Sequence, residues 1–310
     1  MRAAFLSTTI PFEPWATEIT KHFPALDLRC WPEIGDPATI EAALVWRPQA
    51  GALAQLPNLR VIQVLGAGVD HVLNDPAVPP RVTIVRLVDP GMTVAMGEYV
   101  ELQVLRLHRH DHAYREQQAR GVWHEHPQPI AGARRVGMLG MGVLGSAAAL
   151  RLKVAGFDVA GWRRSNGRRL RGIPQFTGPD GLLAIAARSE ILVAILPLTR
   201  ETENLLDARL FAAMPKGGAI INAGRGAHVV DADLIAGLDS GQLSAAVLDV
   251  FRQEPLPPTH PFWSHPRIIL TPHSAAPNYP HTSAPVIADA LRRIAEGKIP
   301  ENVVGRERGY

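Results

Sequence analysis

The sequence predicts an α/β protein made of two doubly wound parallel sheets, and three observations carry that expectation. The first hundred residues alternate short apolar runs with helix-like stretches. Residues 136–165 read as strand, glycine turn, helix and second strand. The same alternation then resumes to about residue 271. A chain that keeps alternating in this way pairs its strands in parallel, because each helix carries it back across the sheet.

In chain order, residues 3–7, 26–31, 43–46, 61–65 and 83–87 are short apolar runs and read as strands. Residues 17–22, 37–43 and 51–56 fit short helices between them. A long helical pattern covers 94–118, and the Pro- and His-rich stretch 123–129 breaks it. After the glycine turn come helix 144–154, strand 157–161, helix 181–187 and strand 191–196. Helices near 204–214, strand 219–222, helix 232–238, strands 245–250 and 268–271, and a final helix at 281–297 complete the order. This pattern predicts Rossmann-like/flavodoxin-like domains with a ligand cleft between them. Residues 1–98 plus 282–310 form one domain and 99–281 the other.

Composition narrows the function classes. The 310 residues are 46% hydrophobic and 20% charged, which describes an ordinary globular protein with ample core. A net charge of +3 without a Lys/Arg block and interleaved aromatics argues against nucleic-acid binding. The lone Cys30 excludes an intrachain disulfide framework and suits a reducing compartment. The N-terminus meets Pro11, Glu13 and Pro14 too early for a signal peptide. No apolar run reaches the length of about 18 residues that a membrane span needs. A cytoplasmic location is expected, with neither a nucleic acid nor a membrane as partner.

Gly140-Met-Gly142-Val-Leu-Gly145 follows an apolar run and opens an Ala/Leu-rich helix. The first glycine permits the tight turn, the second lets a pyrophosphate approach bare backbone, and the third lets helix and strand pack closely. The helix N-terminus then points amides and a positive dipole end at the phosphates. Met141, Val143 and Leu144 belong to the same turn. An NAD-selecting chain usually carries an acid about 20 residues on. Here Trp162, Arg163, Arg164 and Ser165 stand there instead, followed by Arg168, Arg169 and Arg171, with no acidic residue between Asp158 and Asp180. Guanidinium groups and a hydroxyl suit a 2′-phosphate, so NADP(H) is favoured over NAD(H). Arg outnumbers Lys 28 to four, yet chance would put only about one Arg in residues 163–171, where five occur.

Three further features each lie just past a predicted strand, where open α/β sheets bind ligands. They are Arg225 in Asn222-Ala-Gly-Arg225-Gly, Glu254 in Asp249-Val-Phe-Arg-Gln-Glu254-Pro, and His273 in Thr271-Pro-His273-Ser-Ala-Ala. Reduction of a 2-oxo acid needs a bidentate cation for the carboxylate, a general acid for the carbonyl oxygen, and a carboxylate to fix the acid's tautomer. Arg225, His273 and Glu254 match those needs. Taken singly, each has a plainer explanation: a surface arginine in a turn, a solvated loop acid, one of 12 histidines. Their joint placement after successive strands is what points to catalysis.

These residues, with Leu65-Gly-Ala-Gly-Val-Asp-His71, residues 91–100, Leu196-Pro-Leu-Thr-Arg-Glu-Thr202, residues 222–230, the segment 239–276 and the terminal Arg-Gly-Tyr310, carry a resemblance spanning almost the whole chain. The sequence resembles the D-isomer-specific 2-hydroxyacid dehydrogenases, and within them glyoxylate/hydroxypyruvate reductases of the A type. The resemblance implies His273 as acid/base, Glu254 as its partner and Arg225 as carboxylate anchor, with no metal. It implies that Asp249, Ala223 and Gly224 lie near the nicotinamide, that Leu196 and Pro197 flank the adenine ribose, and that Arg225, His273 and Ala275 also border the cofactor. Amides of Leu65, Gly66, Ala67 and Gly68 would hold the substrate, as a nest of small residues after a strand can hold any anion. Trp46 is equally readable as a pocket wall or a core tryptophan. The family also suggests a homodimer. The expected activity is NADPH-dependent reduction of a small 2-oxo acid. The rivals are a dehydrogenase for bulkier 2-oxo acids and, from another class, a nucleotide-sensing regulator on the same fold, which would be expected to carry extra segments for partners.

Overall fold

The computed structural model describes the chain apart from residues 77, 166, 168, 169, 308 and 310. It divides into two compact units, Met1–Met92 with Asn278–Tyr310, and Thr93–Pro277. Among the described residues every pair of named strands is parallel.

The first unit contains β1 (Arg2–Ser7), α1 (Phe12–His22), β2 (Asp27–Cys30), β3 (Ala42–Trp46), β4 (Val61–Val64), α2 (Asp70–Leu73) and β5 (Thr83–Val85). Its sheet runs β2-β1-β3-β4-β5. Every residue of β4 is buried, as are Ala3 to Leu6 of β1, so β1 reads as an unbroken apolar run and β4 as one interrupted only by the buried Gln63. On α1 the buried residues are Trp15 and Ile19, four apart and therefore on one face. Arg292, from the C-terminal helix Pro280–Ala295, donates to the His22 carbonyl that α1 leaves open at its end, at 2.6 Å. Two expected helices shrink. Residues 37–43 keep only a 3-10 turn at Pro37–Thr39, capped by Asp36, because Ala42 and Ala43 pair with Val61 and Ile62. Residues 51–56 keep only the turn Leu53–Gln55.

Helix α3 (Pro90–His108) begins at the division, its first turn capped by the buried Asp89, which accepts from the Gly91 amide at 2.9 Å. The single helix expected over 94–118 is two, because His110 takes a left-handed φ of 56° before α4 (Asp111–Arg120). The remaining elements are β6 (Arg135–Leu139), α5 (Val143–Val154), β7 (Asp158–Arg163), β8 (Gln175–Thr177), α6 (Gly178–Arg188), β9 (Ile191–Ala194), α7 (Ala208–Ala213), β10 (Gly218–Asn222), α8 (Asp231–Asp239), β11 (Leu243–Leu248) and β12 (Ile268–Leu270). Of these, β8 is a short strand that the sequence pattern did not announce.

This second sheet runs β12-β11-β10-β9-β6-β7-β8. Its strand order reverses between β6 and β9, and a doubly wound sheet binds ligands beyond the carboxyl ends at such a switch. Successive strand residues feed opposite cores. Leu139, Leu192, Ile220 and Leu248 join one apolar cluster, while Met138, Val193, Ile221 and Val247 join the other. Both faces are therefore covered, which explains why these strands carry no polar face.

Candidate active site

The glycine turn between β6 and α5 behaves as its spacing requires. Gly140 has φ 103°, and a Cβ there would come 2.3 Å from the Ile195 carbonyl oxygen. A Cβ on Gly145 would come 1.8 Å from the Gly140 oxygen. Gly142, which caps α5, meets nothing within 4 Å in the place of its missing Cβ. Two glycines are thus demanded by packing, and the middle one leaves bare backbone facing open space. That cradle fits a pyrophosphate at a helix N-terminus, with Val143 and Leu144 opening the helix. Met141 is buried, and Gly161 of β7 makes room for it: a Cβ there would strike the Met141 sulfur at 2.4 Å.

At the end of β7 the four expected cofactor residues part company. Trp162 is buried, donates its indole N–H to the Gly178 carbonyl at 2.8 Å, and accepts the Gly140 amide at 3.0 Å through its own carbonyl. Its side chain belongs to the core. Arg163 turns back to the Met141 carbonyl of the glycine turn. Arg164 lies 3.2 Å from Glu201, which stands on the loop after β9. Ser165 is exposed beside them. Arg168 and Arg169 lie outside the described residues.

The loop after β10 is built on Asn222, which is fully buried. Its amide nitrogen donates to the Arg225 carbonyl at 2.9 Å, and its oxygen accepts from the Gly224 amide at 3.2 Å. One side chain therefore shapes the turn that carries Ala223, Gly224 and Arg225. The Arg225 guanidinium donates to the Gly224 carbonyl at 2.8 Å. A Cβ on Gly226 would come 1.9 Å from the Phe251 carbonyl carbon, so this loop and the one after β11 touch backbone to backbone. Leu196 is buried on the neighbouring loop, and the Pro197 carbonyl accepts from the Thr202 hydroxyl at 2.7 Å.

Beyond β11 and β12 stand Asp249, Glu254 and His273. Nδ1 of His273 lies 2.8 Å from Oε2 of Glu254, and the other Glu254 oxygen accepts from the Phe251 amide at 3.0 Å. The carboxylate is thereby fixed before it fixes the ring. His273 has φ 53°, an uncommon left-handed backbone for histidine, and its amide donates to the Asp249 carbonyl at 2.7 Å. Asp249 itself is buried and accepts three bonds: from the Thr271 hydroxyl at 2.6 Å and from the Ser274 and Ala275 amides at 2.9 Å each. It ties down the segment that presents His273. Tyr99 bonds Thr271 at 2.8 Å, and burial pushes its phenol well above the ordinary range. Because β10, β11 and β12 are neighbours, Arg225, Glu254 and His273 follow the carboxyl ends of three adjacent strands. Nothing in the sequence singles out Asn222, Thr271 or Tyr99 except that the first two stand at strand ends.

In the first unit, Leu65, Gly66, Ala67 and Gly68 follow β4. The Leu65 carbonyl is held by the Asn278 side chain, and the Gly66 carbonyl accepts from the Leu87 amide at 3.0 Å. Trp46 is half-buried, with its ring centroid 5.2 Å from that of His71 in an edge contact. A Cβ on Gly66 would come 2.2 Å from the Trp46 ring, so the glycine admits the tryptophan. Among the described residues no group of three His, Cys, Asp or Glu could hold a metal ion, and no helix is long and apolar enough to cross a membrane.

Comparison with known proteins places this arrangement. The family model "D-isomer specific 2-hydroxyacid dehydrogenase, NAD binding domain" matches residues 102–275. The chain is 36% identical over 320 aligned positions to a glyoxylate/hydroxypyruvate reductase A of Yersinia enterocolitica, covering 100% of both chains. It is similar to a D-isomer specific 2-hydroxyacid dehydrogenase from Xanthobacter autotrophicus Py2 crystallised with NADPH and MES, with a TM-score of 0.95 at 40% identity, covering 100% of this chain and 99% of that one. It is also similar to an NADPH-dependent glyoxylate/hydroxypyruvate reductase from Sinorhizobium meliloti crystallised with NADP and sulfate, with a TM-score of 0.92 at 36% identity and coverage of 100% and 99%.

Proposed function

The chain belongs to the D-isomer specific 2-hydroxyacid dehydrogenase family, and from that premise we propose that it reduces small 2-oxo acids, glyoxylate to glycolate and hydroxypyruvate to D-glycerate, with NADPH. The observation that carries the proposal is the 2.8 Å contact of His273 with Glu254, in the same unit as a glycine cradle for a dinucleotide. Relatives named as glyoxylate/hydroxypyruvate reductases, and similar structures holding NADPH or NADP, support the substrate and cofactor.

NADPH, when bound, supplies the hydride that reduces the carbonyl carbon. The protein's own residues do the rest. With Nδ1 engaged by Glu254, His273 has Nε2 available to deliver a proton to the carbonyl oxygen, which becomes the hydroxyl of the product. Glu254 keeps the ring oriented and balances its charge while protonated. Arg225 grips the substrate carboxylate with a planar pair of N–H groups. Amides of Leu65, Gly66, Ala67 and Gly68 are assigned to the substrate, with Trp46 as a wall of its pocket. On the cofactor side we assign Gly140, Met141, Gly142, Val143, Leu144 and Gly145 to the pyrophosphate, Arg163, Arg164 and Ser165 to the 2′-phosphate, and Leu196 and Pro197 to the adenine ribose. Ala223, Gly224, Asp249 and Ala275 border the nicotinamide, Asp249 through the loop it holds; Trp162 contributes through its backbone. In this reading residues 1–98 with 282–310 serve the substrate and 99–281 the nucleotide.

The lone Cys30 supports a cytoplasmic setting. Trp123, 96% exposed, and Ile130, 78% exposed, supply apolar surface that a homodimer would cover.

The test is a panel of 2-oxo acids assayed with NADPH and NADH in parallel. Turnover of glyoxylate and hydroxypyruvate with NADPH above NADH is expected. Turnover confined to bulkier 2-oxo acids, or to NADH, would overturn the corresponding part.

A further inference from the structure

The turn behind Arg225 contains a histidine that the reaction leaves without a role. His228 ends the short 3-10 segment Gly226–His228 and is fully buried. Both of its ring nitrogens are nevertheless engaged. The Arg225 backbone amide lies 3.2 Å from Nδ1, and Nε2 lies 3.3 Å from the Pro197 carbonyl oxygen. An amide can only donate and a carbonyl can only accept, so the ring is the neutral tautomer with its proton on Nε2. The same ring lies beneath Gly224, where a Cβ would come 3.0 Å from Cε1.

A buried histidine is more often a space-filling residue whose nitrogens happen to be satisfied. Here the two partners argue for more. Asn222 fixes the Gly224 amide and the Arg225 carbonyl. The Arg225 amide goes to His228 instead. The other end of the ring reaches a different loop, the one after β9, at the carbonyl that Thr202 also holds. A single rigid ring therefore spans two loops, one carrying the arginine and the other Leu196 and Pro197. Loops hold a site loosely unless supporting side chains lock them, and a planar ring with a donor at one edge and an acceptor at another sets a fixed separation.

We propose that His228 is a positioning residue that sets the spacing of the Arg225 and Pro197 loops, so that one buried side chain fixes both the carboxylate anchor and the wall of the nucleotide site. The proposal rests on the roles assigned to those two residues in the preceding section. The two contacts are separable by chemistry. Asparagine at 228 keeps an acceptor near the Nδ1 position, and glutamine keeps a donor near the Nε2 position.

The experiment measures the NADPH Kd by fluorescence titration, and KM and kcat for glyoxylate, in wild type, H228N, H228Q and H228A. H228N should hold its glyoxylate KM near wild type and weaken NADPH by about tenfold, the size of one neutral hydrogen bond. H228Q should do the reverse, and H228A should show both losses. Identical behaviour of H228N and H228Q, or wild-type constants in H228A, would overturn the proposal. So would loss of the fold in all three, which would make His228 a core residue only. If H228A alone fails to fold, the other two variants still decide. A wild-type chain that binds NADPH but reduces no 2-oxo acid would instead overturn the functional reading; a Kd unchanged from wild type in H228N would then count against His228 by itself.

Discussion

Oε2 of Glu254 sits 2.8 Å from Nδ1 of His273, while Oε1 of the same carboxylate is held at 3.0 Å by the Phe251 amide. The acid is locked on one side by backbone and on the other by the ring it orients. Its cation-stabilising and orienting effects therefore act together: removing the charge takes away the first, and changing the reach takes away both.

His273→Ala removes the proposed proton donor and should lower kcat for glyoxylate by about 100-fold to 10,000-fold. The binary NADPH Kd should stay near wild type. Glu254→Gln keeps the shape but not the charge and should cost less, about tenfold to 100-fold in kcat. Near wild-type turnover in His273→Ala would remove it from the acid role.

The glycine turn gives a paired test in which stability and binding separate. Gly142 has φ −77° and open space at its missing Cβ, so Gly142→Ala should leave stability within about 1 kcal/mol of wild type. Its methyl would nonetheless project where the phosphates are expected, and NADPH should bind at least about tenfold more weakly. Gly145→Ala would instead drive a methyl to 1.8 Å from the Gly140 oxygen, and should cost about 1–3 kcal/mol in thermal or denaturant unfolding. A stable Gly145→Ala that binds NADPH normally would contradict the close helix–strand approach.

The legible parts of the sequence were those in which local pattern and tertiary fate agree. Strands buried on both faces appear as apolar runs, and the glycine spacing encodes a steric requirement that Gly140 and Gly145 both meet. Arg225, Glu254 and His273 were visible because each follows a strand end. What stayed hidden depends on side chains that meet only after folding. Asn222, His228 and Thr271 are ordinary polar residues until β9, β10, β11 and β12 lie side by side. The break at His110 has no sequence signal, because one left-handed residue interrupts an otherwise continuous helical pattern without Gly or Pro. The position of Trp162 points to the cofactor, but nothing in the sequence tells that its indole donates to the Gly178 carbonyl inside the core.

Cofactor choice is testable at Arg164, which already faces a carboxylate. The Arg164–Glu201 pair is partly exposed, with the Glu201 side chain 63% accessible, so it adds little stability and its guanidinium can exchange partners. Arg163→Ala combined with Arg164→Ala should raise the NADPH KM by about tenfold to 100-fold, the loss of one or two charge-assisted bonds. The NADH KM should change by no more than about twofold. A proportional change for both nucleotides would show that these arginines do not read the 2′-phosphate.

Acid sensitivity should arise around the α3–α4 junction. His108, His110 and His112 all have their protonation held below the ordinary histidine value of 6.5, in each case chiefly by burial. Nδ1 of His112 is buried without a hydrogen-bond partner, so its ring is best kept neutral. In the unfolded chain these rings take up protons as the pH falls through 6.5, while the folded chain resists until a lower pH. The unfolded state then binds more protons, and stability declines as pH drops below 6.5, having been fully present above it. His112→Leu removes one such group while keeping an apolar side chain in its place. Its Tm should fall less steeply than that of wild type between about pH 7 and pH 5, with the two curves closest above neutrality. Parallel Tm profiles over that range would show that His112 does not contribute to the acid limb.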